Sequence, residues 1–118
     1  MSSIAAPVKP EEVILAACHA FGIAWQDFIA NGRHPRVVNT REVAWWVCRR
    51  ITTASFPEIA AASRRPSHAT IVTAIKRIRK RVESGDPTTI DQVATLVSMV
   101  EPRRFEIPAA REEVSRGE

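Results

Sequence analysis

Apolar residues in this chain recur every three or four positions and nowhere alternate one for one. That spacing leaves the α-helix as the regular element the sequence can build, so the expected fold is all-α, a helical bundle. Glycine and proline cut the pattern into segments. A first helix is expected over 11–21, with Glu11 and Glu12 in the turn that favours anions, Val13, Ala16, Ala17 and Ala20 on one stripe, and Gly22 as its stop. A short helical turn inside 23–30 turns Trp25 and Phe28 inward. A polar loop follows over 31–39, broken by Gly32 and Pro35, and Asn39 or Thr40 caps a long helix to about Thr53. In that helix Val43, Trp46, Val47 and Arg50 share one face, and Trp45 and Arg49 another. Beyond it lie a short helix to about Ser63, a longer one from Ser67 to about Glu83, and a last one to about Val100, capped by Thr88 or Asp91, with Ile90, Val93, Val97 and Val100 inward. Residues 11–100 read as one domain between flexible arms at 1–10 and 101–118.

Net charge is +4, from 17 Lys and Arg against 13 Asp and Glu, but its distribution says more than its sum. Residues 31–83 carry 12 Lys and Arg against three Glu, while both flanks are mildly acidic. A block of that kind attracts phosphate through Coulomb steering and counterion release, or it is a solvated basic face with no partner. Two cysteines make no disulfide framework, no apolar run approaches the roughly 20 residues of a membrane helix, and residues 1–10 lack a signal-peptide core. A cytoplasmic protein without membrane contact is expected. Cys18, His19, His34, Cys48 and His68 lack zinc-ligand spacing, so no metal is expected, and the cysteines read as small core residues. Ser67 and His68 are adjacent on a helix tip and cannot face each other as nucleophile and base. No Gly-x-x-x-x-Gly-Lys-Ser/Thr run is present. Neither a nucleotide, a cofactor nor an enzymatic activity is therefore expected.

The segment 55–83 is the most informative. Ser55-Phe56-Pro57-Glu58 has the form of a capping box, with proline where the first turn tolerates it. Arg64-Arg65-Pro66 breaks the short helix, and Ser67 is placed to cap the next. Ile71, Ala74, Ile75, Ile78 and Val82 claim one side of that second helix, leaving Ser67, His68, Thr73, Lys76, Arg77 and Lys80 on the other. Two helices joined by a tight turn, the second with a polar tip, have the anatomy of a helix-turn-helix DNA reader. Lys76, Arg77 and Lys80 suit phosphates. Two rivals remain on the residues alone. One is a helical protein-interaction module docking an acidic partner; the other places single strands on Trp45 and Trp46.

TREVAWWVCRRIT (40–52) and SFPEIAAASRRPSHATIVTAIKRI (55–78) resemble the C-terminal DNA-binding domain of the bacterial replication initiator DnaA, over about residues 11–100. The family pattern opens a long helix with Arg-Gln-hydrophobic-Ala. It continues through Ser-Leu-Pro-Glu-Ile-Gly and Phe-Gly-Gly-Arg-Asp-His-Thr-Thr-Val. Arg41, Ala44, Arg49, Ser55, Pro57, Glu58, Ile59, His68, Thr70, Ala74 and Ile78 keep it in one ungapped register. The resemblance implies a Trp-repressor-like bundle that binds double-stranded DNA in replication initiation or its regulation. It implies a nucleoid-associated location, with replication proteins as further partners. It also implies that Pro66, Ser67, His68 and Ala69 form the base-reading tip, and that a loop arginine enters the minor groove: Arg33 in ungapped register, Arg36 if a gap intervenes. Phosphate contacts fall to Arg49, Phe56, Pro57, Arg64, Arg65, Thr70, Thr73, Lys76 and Arg77. Pro66 replaces an arginine, Ser67 an aspartate and Ala69 a threonine of the pattern. Each lost bidentate-quality contact costs about 1–3 kcal/mol of discrimination, so a changed or relaxed site is expected. The reading is a stand-alone DNA binder without ATPase. A Trp-repressor-like transcriptional regulator, or an interaction module whose readout has been lost, are the alternatives.

Overall fold

A computed structural model describes residues 8–101; the expectations for 1–7 and 102–118 lie outside the described residues. Six helices and no strand occur among them: α1 (Pro10–Phe21), α2 (Trp25–Ile29), α3 (Pro35–Ile51), α4 (Phe56–Ala62), α5 (Ala69–Glu83) and α6 (Pro87–Val100).

Four of the six helices open on a proline in the first turn: Pro10, Pro35, Pro57 and Pro87. The ring fixes φ near the helical value, and the missing N–H would have had no intrahelical acceptor there. This corrects three boundaries. Pro35 does not break a loop but starts α3, four residues ahead of the expected cap at Asn39 or Thr40. His34 caps it, Nδ1 accepting from the Arg36 amide at 3.2 Å. Pro87 starts α6, capped by Asp86, whose carboxylate accepts from the Thr89 amide at 3.1 Å, in place of Thr88 or Asp91. Pro10 begins α1 inside the expected arm. The phase of α6 leaves Ile90 exposed rather than inward, with Leu96 and Val100 buried and Val93 and Val97 half-buried.

Helix α3 is the hub, packed against each of the other five. Every residue from Thr40 to Cys48 is buried, as an element enclosed on all sides requires. Trp45 and Trp46 are therefore core residues, which removes the single-strand platform. Trp45 packs edge-on against Phe28 and donates from Nε1 to Ser63 Oγ at 2.9 Å. Ser63, fully buried, donates its hydroxyl in turn to the Ile59 carbonyl at 2.9 Å. Arg50 leaves the face expected for it and lies exposed over the Trp46 ring, 5.5 Å from its centre. Cys18 and Cys48 are buried, and burial pushes both thiols up, Cys48 far above the ordinary range; neither is a reactive group.

Candidate nucleic-acid interface

The capping box at the start of α4 forms as the sequence requires. Ser55 Oγ accepts from the Glu58 amide at 3.2 Å, and Glu58 Oε1 accepts from the Ser55 amide at 2.7 Å. Hydrogen bonding from the Ser55 amide first, then from its hydroxyl, holds the Glu58 carboxyl below its usual range. Residues 63–68 then join α4 to α5. Arg64 takes a left-handed conformation, φ 57°, and closes the end of α4 by donating its amide to Ala61. Ser67 is not the cap residue expected; helix α5 begins two residues later, with His68 at the cap position. Ser67 Oγ instead accepts from the Ala69 amide at 3.1 Å, folding the turn onto the helix start.

Pro66, Ser67, His68, Ala69 and Thr70 are all exposed. Ile71, Ala74, Ile75 and Ile78 bury the opposite side of α5, which orients the tip outward. Thr73, Lys76, Arg77 and Lys80 continue the exposed face, Thr73 donating back to the Ala69 carbonyl at 3.1 Å. At the tip, three side chains stack into a column. The Arg49 guanidinium lies 4.1 Å from the centre of the Phe56 ring, and Phe56 lies nearly parallel to His68 at 6.2 Å. Arg49 also donates to the Ala54 carbonyl at 3.0 Å. Pro57, one residue into α4, is exposed.

The loop between α2 and α3 faces the same side. Arg33, exposed and with no hydrogen bond or ion pair among the described residues, lines a groove of about 420 Å³ together with Pro66, Ser67 and Thr70. Arg36 donates to the Phe21 carbonyl at 2.9 Å, at the end of α1 that the left-handed Gly22 stops. The loop is held by a residue whose role the sequence did not give away. Arg41, buried on α3, donates to the carbonyls of Phe28, Gly32, Asp27 and Ala30 at 2.8, 2.7, 2.9 and 2.7 Å. Burial first, then the charges of Arg65 and Arg33, lower its pKa. Its position one turn before Trp45, on the same face of α3, was the available local signal.

Two of the expected phosphate ligands are engaged elsewhere. Arg65 folds inward over the Trp45 ring and donates to Asn31, Phe28 and Ala30. Arg77 forms a forked ion pair with the buried Glu42 of α3, with Arg81 beside it at 3.8 Å. A buried carboxylate must be paired, and these two cations are the ones within reach. Arg49, Phe56, Pro57, Arg64, Thr70, Thr73 and Lys76 remain on the surface around the tip, with Phe56 half-buried.

A family model described as the bacterial dnaA protein helix-turn-helix matches residues 10–78, more than half of the 118. This chain belongs to that family. Similar relatives are the chromosomal replication initiator proteins DnaA of Corynebacterium jeikeium, 27% identical over 93 residues, and of Cutibacterium acnes, 33% identical over 73. The DnaA of Thermus thermophilus is 32% identical over 88 residues. Those matches cover 79%, 62% and 71% of this chain but only 16%, 15% and 20% of the relatives. The family-model match ends inside α5, whereas the 93-residue match to the Corynebacterium jeikeium DnaA runs on into α6.

Proposed function

We propose that this chain binds double-stranded DNA with sequence preference, in replication initiation or its regulation. The tip of α5 enters the major groove and Arg33 reaches the adjacent minor groove. The observation that supports this most is the shared face. Residues Pro66 to Thr70 are exposed in succession, and Pro66, Ser67 and Thr70 among them border one groove with the unpaired Arg33, at the end of a helix whose other side is core. A helix start offers free amides and a positive dipole to an approaching phosphate. Family membership and the naming of the relatives as chromosomal replication initiators support the same reading. Arg36, spent on the end of α1, is not the minor-groove residue in this account.

His68 and Ser67 are short enough to approach base edges, whereas Pro66 offers no donor and Ala69 only a methyl. The site read is thus a changed or relaxed version of the family's. Arg49, Phe56, Pro57, Arg64, Thr70, Thr73 and Lys76 contact the backbone, while Arg65 is engaged by the loop before α3 and Arg77, on the exposed face, by Glu42. No nucleotide is needed for this activity.

Selection from a pool of random duplexes tests binding and site together. Enrichment of one sequence family is expected, with log affinity for the enriched site falling steeply and linearly against log salt. No enrichment at low salt would overturn the proposal.

A further inference from the structure

The Arg65 side chain lies between the two elements assigned to DNA reading. Its backbone belongs to the turn before α5, where its amide donates to the Ala60 carbonyl at 2.8 Å. Its guanidinium belongs to the other element. Nη1 donates to Asn31 Oδ1 at 3.0 Å, and Nη2 to the Ala30 and Phe28 carbonyls at 3.0 and 3.2 Å. Nε is buried without a partner, so the side chain carries a desolvation cost to keep its fork on the loop. Beneath it lies Trp45, itself bonded to Ser63 at the end of α4. Asn31 and Arg65 line the same groove as Arg33, Pro66, Ser67 and Thr70.

We propose that Arg65 is a positioning residue that ties the Arg33 loop to the helix-turn-helix turn, presenting both DNA-reading elements at one fixed separation. A planar fork making three bonds fixes the distance and the angle of what it joins. Arg41 gathers the loop's carbonyls onto α3; among the described residues, Arg65 supplies the side-chain hydrogen bonds that join the loop to the turn. The family pattern given above has two glycines before the arginine that Pro66 replaces, so a chain following that pattern has no side chain for this tie. The tie matters more here than there. With no donor on Pro66 and only a methyl on Ala69, selectivity leans on Arg33, and a pre-positioned arginine loses less freedom on binding.

The inference rests on the duplex-binding reading, and its test separates the two. Arg65→Gln and, as a milder cut at the loop end, Asn31→Ala are compared with the parent in two measurements. Without DNA, backbone ¹⁵N order parameters of residues 31–34 should fall from the rigid range, about 0.85, toward the flexible range, below about 0.6. With DNA, the preference for the selected duplex over a random one should fall roughly tenfold in Arg65→Gln while the salt slope stays unchanged. Adding Arg33→Ala should then remove little more preference, whereas in the parent it removes most of it. Unchanged order parameters in both variants would overturn the tie. So would an undiminished effect of Arg33→Ala, or a uniform loss on all duplexes with the salt slope reduced by about 1, the mark of a phosphate contact. A parent with no duplex preference would sink the DNA-binding proposal instead, and the order parameters alone would then decide the tie.

Discussion

The loop around Arg33 and the tip of α5 present side chains to the same groove but are built on opposite plans. The loop has no regular structure, and its order comes from polar bonds: Arg41 and Arg65 together occupy the carbonyls of Asp27, Phe28, Ala30 and Gly32. Unpaired carbonyls near the interior are costly, so the loop is as fixed as its two arginines allow. The tip has almost no polar anchoring of its own. The Ala69 amide on Ser67 Oγ, the Thr73 hydroxyl on the Ala69 carbonyl and the aromatic contact of His68 with Phe56 are its side-chain ties, and the apolar face of α5 does the rest. Irregular backbone can be aimed by buried charge, while a helix end is aimed by whatever its far side packs against.

Substitutions that strike one plan and spare the other are the sharpest way to break this contrast. Arg41→Met keeps the stem but strands the carbonyls of Asp27 and Gly32 and leaves those of Phe28 and Ala30 to Arg65. A loss of about 3 kcal/mol or more is expected, seen as a fall of over 10 °C in Tm, while Ser67→Ala at the tip shifts Tm by no more than about 2 °C. Similar losses for both would erase the distinction. On duplexes, Arg33→Ala should cost about 1–3 kcal/mol of preference between selected and random sites, whereas Lys76→Ala weakens all duplexes alike and lowers the salt slope by about 1. Equal losses would mean that the loop does not read. Phe56→Ala removes the ring under His68. About 0.5–1.5 kcal/mol of stacking is lost, and the preference contributed by His68 should fall with the fold intact by circular dichroism.

Arg64 offers a smaller test of opposite sign. Its left-handed backbone is one that glycine adopts freely, so Arg64→Gly should raise stability by about 1 kcal/mol while weakening non-specific binding through the lost cation. The mildest effect concerns pH. Hydrogen bonds from Ser55 and from Thr89 hold the Glu58 and Asp86 carboxyls below their ordinary values. A depressed carboxyl contributes stability that is present above its unfolded pKa and lost as pH falls through its folded one. Tm should therefore drop on acidification below the ordinary carboxylate range, and the double variant Glu58→Gln, Asp86→Asn should flatten that drop.

Much of the core was legible because it depends on local period. Val13, Ala17, Phe28, Val43, Val47, Ile59, Ile71, Ala74, Ile75 and Ile78 fall at helical spacing and are buried. The capping box at Ser55 and Glu58 was legible for the same reason, its partners being three residues apart. Pro35 and Pro87 misled because a proline ends the segment before it and opens the one after it, and the residues alone do not say which role dominates. Ser67 is a cap-type residue that makes a turn bond one step earlier than expected.

By itself the sequence determined the six-helix order and the apolar face of α5 that turns residues 66–70 outward, both consequences of spacing within a few positions. Tertiary structure decided which arginines face solvent and which work inside. Arg33, Arg36, Arg41, Arg65 and Arg77 are chemically identical. They are sorted only by carbonyls and a carboxylate that folding brings next to them, the partners of Arg65 and Arg77 lying 34 to 37 residues away along the chain. Charge at that separation leaves no trace in local spacing, because its partner exists only once α2, α3 and α5 have come together.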